Sequence, residues 1–269
     1  MIVGIVGTSY CGSTCLELLL GTQPDFQCVG EASYTLRKSA DWCYCVFCGE
    51  ECPIYSPEIR EICTRQPHLL YSMLAKASLP KNFVVSDKHP LILHVYGGID
   101  IAILLYKSPP AFCYSYHGHE NIDFADGAME WLRFHDEALR YLKWLKVPTV
   151  VVPYFRICEE TDAEIKRLCS LLNTQWDSMT IKKWNSPEGL HRIGGNSGTL
   201  YSVMPGEKQE HLWKLDSWYQ GDNAGKLRLD TRSESIPKAD LSRIIAISGI
   251  EKMEAYLEEL SYRDKLEVF

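Results

Sequence analysis

No stretch of this chain stays apolar for the roughly 20 residues that a membrane-spanning helix needs. The first residues pass directly into the apolar run Ile2 to Val6, without the basic segment and cleavage site of a secretory signal. Basic side chains are scarce: 28 Lys and Arg stand against 35 Asp and Glu, a net charge of −7, and no Lys/Arg run occurs. That balance speaks against a nucleic-acid surface and against polyanionic substrates. Internal repeats and low-complexity tracts are missing too, which excludes a repeat architecture. These absences predict a cytoplasmic protein with no membrane and no nucleic acid among its partners. In that setting its 11 cysteines read as reduced thiols or metal ligands before disulfides.

The most informative absence is one lysine. Gly7-Thr8-Ser9-Tyr10-Cys11-Gly12-Ser13-Thr14 follows the phosphate-loop pattern G-x-x-x-x-G-K-[ST], with Ser13 where the lysine belongs. Ile2 to Val6 precede it and the helix-like Cys15-Leu16-Glu17-Leu18-Leu19-Leu20 follows, so the context is strand, loop, helix. Backbone N–H groups of such a loop and the helix N-terminus form an anion site without the lysine. The lysine's contribution is a point charge on the β- and γ-phosphates during phosphoryl transfer. Its loss points away from ATP hydrolysis and toward a nucleotide with a short 5′ chain. A plain Gly/Ser turn remains open on the motif alone.

At 269 residues and 46% hydrophobic, the chain suits one large α/β domain spanning residues 1–269. Strands are expected at Ile2 to Val6, Gln27 to Glu31, Phe83 to Ser86, Ile101 to Tyr106 and Val147 to Val152. Helices are expected at Pro57 to Ser78, broken at Pro67, at Ala125 to Leu145, at Asp162 to Leu172 and at Ala239 to Leu260. The alternation predicts a phosphate-loop-type, doubly wound parallel sheet flanked by helices, with a cysteine-containing helical insertion around residues 39–78. Polar residues follow the Phe83 and Ile101 strands at their C-terminal ends, where open parallel sheets bind ligands. Asn185 to Gly189 and Gly194 to Gly198 mark a long irregular loop.

Several residues carry candidate chemistry. Glu31 follows the second strand at the mouth of the loop, and Asp87-Lys88-His89-Pro90 follows the third. A carboxylate or an imidazole there can act as a general base, and Lys88 can stand beside a leaving-group oxygen. Cys43, Cys45, Cys48 and Cys52 fall within ten residues, too compact for the two separated pairs of an ordinary structural zinc site, so no metal is assigned. His117, His119 and Glu120 do not face one ion well on a helix end.

Four separated pieces, together covering residues 1 to about 200, resemble the sulfotransferases that use 3′-phosphoadenosine 5′-phosphosulfate (PAPS). Tyr10 to Leu16 is similar to the Y-S-G-S-T-L-L loop of bacterial members, and Val29-Gly30-Glu31 to the Gly-Glu that follows the first helix. Tyr106 to Ser115 resembles the R-D-P-R-A-x-x-x-S stretch that grips the 3′-phosphate, and His191 to Asn196 the H-x-I-x-G-N segment. Relatives also carry a C-x-C-G…C-P element near the acceptor pocket. The resemblance implies that Ser9, Tyr10, Cys11, Gly12, Ser13, Thr14 and Cys15 hold the 5′-phosphosulfate, with Gly195 and Asn196 close by. It assigns the 3′-phosphate to Lys107 and Ser115. Lys107, Ser108 and Pro110 replace the family's arginine, aspartate and second arginine, which predicts a thinner grip, because lysine lacks the bidentate fork. Arg192 is the candidate to stand in for an arginine missing after Asn196. The base is Glu31, as in glycan-modifying relatives, or His89, as in small-molecule ones, and no metal is required. A small neutral or cationic acceptor is expected. A nucleotide kinase and a non-catalytic nucleotide-binding module remain the competing readings, and a homo-oligomer is as compatible with the sequence as a monomer.

Overall fold

A computed structural model describes residues 1–36, 44–79, 81–181, 184, 190–201, 203, 227, 229 and 231–269. Cys43 and the Asn185 to Gly189 segment lie outside the described residues. Five strands, β1 (Ile2–Val6), β2 (Phe26–Cys28), β3 (Asn82–Lys88), β4 (Ile101–Tyr106) and β5 (Thr149–Pro153), pair in the order β2-β3-β1-β4-β5. Every pairing is parallel. The apolar runs explain this: Val3 and Ile5 pack on one face while Val6 packs on the other, and Ile103 and Leu105 alternate likewise with Ala102, Leu104 and Tyr106. A sheet buried on both faces needs apolar residues at consecutive positions, which is what parallel strands covered by helices require.

One face is covered by α1 (Ser13–Gly21) and α8 (Thr161–Leu171), which contribute Leu16, Leu20, Ile165 and Leu168. The other is covered by α6 (Phe124–Leu145), α11 (Lys238–Ile245) and α12 (Ile250–Ser261), through Ala128, Trp131, Ile244 and Leu257. The insertion between β2 and β3 forms α2 (Pro57–Arg65), a 3-10 turn (Pro67–Leu69) and α3 (Leu70–Ala77). Pro67 divides it as the sequence predicts, because proline cannot donate in a helix interior. The tail expected as one helix is two, separated at Gly249 with φ +91°. Around the site lie α4 (Pro90–Val95), α5 (Pro109–Glu120) and α7 (Tyr154–Glu159); α9 (Ser178–Ile181) and α10 (Ser197–Tyr201) follow late in the chain. No helix among the described residues is long and apolar enough to cross a membrane.

The central strand β1 has β3 on one side and β4 on the other, so the connections diverge beyond its C-terminal end. Such a switch point opens a crevice at the carboxyl ends of the strands. The loop after β1, Lys88 at the end of β3 and Lys107 after β4 all emerge there.

Candidate active site

The residues after β1 turn into α1 through Gly12, which takes φ +96° as the N-cap and offers no side chain to cap the helix. A Cβ on Gly12 would lie 2.1 Å from the Tyr154 ring, so glycine is required both by conformation and by that close approach. The first turn of α1 carries no acidic residue. Its leading N–H groups lack intrahelical partners and sit at the positive end of the helix dipole, a ready seat for an anion. Ser13 and Thr14 are buried, and Thr14 Oγ1 accepts the Asn196 N–H at 2.9 Å. Gly195 and Asn196 therefore do lie against the loop. Cys11 and Cys15 are buried beneath it, and burial pushes both thiols up, so they stay protonated and inert.

Tyr10 adopts φ +60°, an unusual conformation for an aromatic residue. Its hydroxyl donates to Glu120 and its ring stacks on His119 at 4.3 Å, so α5 holds the strained residue in place. His117 instead bonds Ile122 O at 2.8 Å and stacks on Phe124. His117, His119 and Glu120 thus serve a loop clasp and a helix end.

Across the crevice, Lys88 Nζ donates to Glu31 Oε1 at 2.7 Å. The pairing of β1 with β3 slips by one residue between Gly4 and Val6, which re-aims the end of β3, and Lys88 turns with φ +65°. Two site residues, Tyr10 and Lys88, therefore hold left-handed backbone, a strain of about 1–3 kcal/mol each that clusters at functional sites. Burial disfavours the Lys88 ammonium, but the Glu31 carboxylate outweighs it and the pKa rises above the ordinary lysine value. Asp87 is buried and accepts from Ser33 N, Ser33 Oγ at 2.6 Å and Tyr71 OH at 2.7 Å. It thereby fixes the turn that follows Glu31. Burial pushes its carboxyl up to about 6, against the Ser33 and Tyr71 hydrogen bonds.

His89 caps α4, with Nδ1 accepting the Leu91 N–H at 3.2 Å, and its ring meets Phe134 and Tyr141 edge-on. The neutral ring then carries its proton on Nε2. Burial lowers its pKa. A cavity of about 250 Å³ joins these parts, lined by Ser9, Glu31, Lys88 and His89, with Phe112, Tyr116 and Phe134 as aromatic walls.

Lys107 lies beyond the end of β4, its Nζ 3.4 Å from Ser115 Oγ and 4.7 Å from the centre of the Tyr154 ring. The two residues assigned to one phosphate are thus neighbours. Arg192 is not with them. It is wholly buried and donates to Glu17 Oε2 at 3.2 Å, so the candidate stand-in for the arginine missing after Asn196 is engaged by α1. Glu17 also accepts from Ser86 Oγ at 2.7 Å and from Gly30 N. The sequence signal for Glu17 was its position as a lone charge in an apolar helix. Tyr154 gave no comparable signal.

A separate group forms around the insertion: Cys45, Cys48, Cys52 and His191 bring their donor atoms within 4.8 Å of one another. The thiols alone are too compact for an ordinary zinc site. His191, more than a hundred residues away in the chain, joins them as a fourth donor.

By sequence, the chain matches no protein-family model and no curated protein. Its fold, however, superposes on solved structures over nearly the full length of both partners. It matches the sulfotransferase domain from the curacin biosynthetic pathway at TM-score 0.54 and 14% identity, over 96% of this chain and 97% of that one. The chain has a sulfotransferase fold. The sulfotransferase domain from the Synechococcus PCC 7002 olefin synthase matches equally, at TM-score 0.55 and 13% identity, over 95% and 94% of the two chains. In this sulfotransferase fold the described parallel sheet and its helices agree with the α/β class expected from the sequence.

Proposed function

We propose that residues 1–269 form one PAPS-dependent sulfotransferase domain that moves a sulfuryl group to a hydroxyl or amine of a small molecule. The observation that carries this reading is the Glu31–Lys88 pair, which lines one cavity with the start of a phosphate loop lacking its lysine. A sulfuryl group carries less charge than a phosphoryl group, so its transfer depends mainly on in-line positioning, leaving-oxygen stabilisation and proton removal. The loop from Ser9 to Cys15 and the open end of α1 would seat the 5′-phosphosulfate. Lys107 and Ser115 would hold the 3′-phosphate. The acceptor oxygen or nitrogen forms the new bond to sulfur as the bond from sulfur to the 5′-phosphate oxygen breaks. That oxygen keeps the electron pair, beside the Lys88 ammonium, and the acceptor's proton passes to Glu31.

Glu31 is the better base because Lys88 engages Oε1 of a two-oxygen acceptor. The neutral His89 ring, by contrast, already has Nδ1 accepting from Leu91 and its proton on Nε2. The cavity volume of about 250 Å³ and its aromatic walls suit a small acceptor. A cytoplasmic setting fits the buried, reduced thiols of the loop.

Adenosine 3′,5′-bisphosphate should raise the melting temperature without magnesium, with about 2.7 kcal/mol of stabilisation at about 100 times its dissociation constant. Mg-ATP should do little. Stabilisation by Mg-ATP and none by the bisphosphate would replace this reading with a phosphotransferase. Binding of the bisphosphate with no transfer from labelled PAPS across an acceptor panel of alcohols, phenols and amines would leave a nucleotide-binding module.

A further inference from the structure

We propose that Cys45, Cys48, Cys52 and His191 bind one Zn²⁺ ion in a closed structural site that fixes the segment carrying Glu31. The donor atoms already converge. Cys48 Sγ lies 3.3 Å and Cys52 Sγ 3.5 Å from His191 Nδ1, and all four donors fall within 4.8 Å. A tetrahedral ion with bonds of about 2.3 Å to sulfur and about 2.0 Å to nitrogen needs donors about 3.5–3.8 Å apart. Closing around zinc therefore asks for a fraction of an ångström at the two His191 contacts and about an ångström at the widest pair.

The backbone is shaped for the same end. Cys45 to Gly49 folds into a knuckle in which Gly49 N donates to Cys45 O at 2.9 Å and Cys48 N points at Cys45 Sγ at 3.5 Å. Gly49 closes it with φ +69°. An N–H aimed at a sulfur favours the thiolate, the form that ligates metal. A disulfide would use two of the three sulfurs and leave the third and the imidazole without a reason to converge. Three thiolates and an imidazole instead match the soft, tetrahedral set that selects zinc. Ligation forms three S–Zn bonds and one N–Zn bond, and the thiols release their three protons to solvent. With Nδ1 on the metal, His191 keeps its proton on Nε2. Four protein donors leave no open position, so the ion takes no part in transfer.

Its effect is positional. Val46 N donates to Arg192 O at 2.8 Å, Ile193 N to Val29 O at 3.0 Å and Glu31 N to Ile193 O at 2.8 Å. From the other end of the cluster, Tyr55 OH donates to Val29 O at 2.6 Å. Gly30, with φ +80°, leaves the room: a Cβ there would stand 2.1 Å from Ile193 O. An ion joining the knuckle to His191 would clamp His191–Ile193 between the insertion and Val29–Glu31. This positioning role rests on the reading of Glu31 as base, and the metal site itself does not.

The test is metal analysis of the full chain purified without added metal or chelator. We expect one zinc per chain, released when an organomercurial titrates the thiols, and replacement by Co²⁺ to give the intense visible bands of a tetrahedral thiolate complex. Cys48→Ser and His191→Ala should each weaken Zn²⁺ by at least about tenfold, while Cys158→Ser, outside the cluster, leaves it unchanged. Metal-free protein whose Co²⁺ spectrum is that of the octahedral aquo ion overturns the site, as does full zinc retention in both cluster variants. Zinc depletion should also lower turnover in proportion to metal lost. Zinc present with turnover indifferent to its removal overturns the clamp alone, and zinc present with no transfer activity at all counts against the sulfotransferase reading instead.

Discussion

Glu31 with Lys88 and Glu17 with Arg192 are the same chemistry in two settings, a few residues apart in space. Both bear on the Val29–Glu31 segment: Glu17 accepts the Gly30 N–H, and Glu31 is the next residue. The first pair opens on the cavity, its lysine side chain 25% exposed; the second has no exposure on either member. A pair sealed from water is held by geometry and cannot change partners without leaving a buried charge. One facing a cavity can exchange its partner for a ligand or a proton. Burial, more than residue type, divides scaffold from chemistry here.

Neutralising one member of each pair should separate the two settings most strongly. Glu31→Gln should slow transfer by about 10²–10⁴-fold while leaving the urea midpoint nearly unchanged, because the proposed base is lost but the contact to Lys88 can persist. Single-turnover transfer from PAPS and equilibrium unfolding measure the two halves. Arg192→Leu should do the reverse and cost about 3–5 kcal/mol of stability, since Glu17 is left buried and charged. Adding Glu17→Gln should recover part of that loss. If Glu31→Gln unfolds the protein as much as Arg192→Leu does, the distinction drawn from burial fails.

Two titrating groups extend the contrast to pH. Asp87 borders the cavity with its pKa raised to about 6, first by burial, and His135, on the buried face of α6, has its pKa lowered to about 4, also by burial. The folded state holds the Asp87 proton more tightly than the unfolded chain, so this group lowers stability as pH rises from about 4 to about 6. His135 resists protonation, so its contribution is complete above about 6.5 and lost as pH falls toward about 4. The opposing slopes largely cancel in the native chain. Asp87→Asn should expose the His135 slope, gaining on the parent by up to about 3 kcal/mol between pH 4 and pH 7 in denaturant titrations, two pKa units at about 1.4 kcal/mol each. A pH-independent difference would mean that Asp87 titrates normally.

The sheet was legible because β1, β3, β4 and β5 carry apolar runs, whereas β2 covers only Phe26–Cys28 where an extended piece from Gln27 to Glu31 was expected; the split insertion was legible because Pro67 interrupts a helical pattern. The loop, Glu31, Lys88 and the Lys107 to Ser115 neighbourhood were legible because they fall at strand ends. What stayed hidden depends on long-range contact. Arg192 reads as a stand-in for the arginine missing after Asn196 until the fold pairs it with Glu17, and His191 reads as part of a loop until Val46 N meets Arg192 O. Neither spacing nor periodicity encodes such meetings. The break at Gly249 was visible as a glycine, but an isolated glycine in an amphipathic pattern does not say whether the helix bends or stops.

The smallest effect should come from Tyr10, whose partners lie at the surface. Burial and the Glu120 hydrogen bond push its phenol above the ordinary value, so it remains a donor, and the bond to Glu120 with the His119 stack holds φ at +60°. Tyr10→Phe removes the bond and keeps the stack, a loss of about 0.5–1.5 kcal/mol at most in a partly exposed setting. The loop should then sample other conformations before ligand binds, so the bisphosphate should bind less than about tenfold more weakly, with the rate of transfer at saturation unchanged. Calorimetric titration and saturating kinetics separate the two quantities. A fall in the saturated rate to match Glu31→Gln would make the Tyr10 clasp part of the chemistry, and the line between cavity and scaffold would have to be redrawn to include α5.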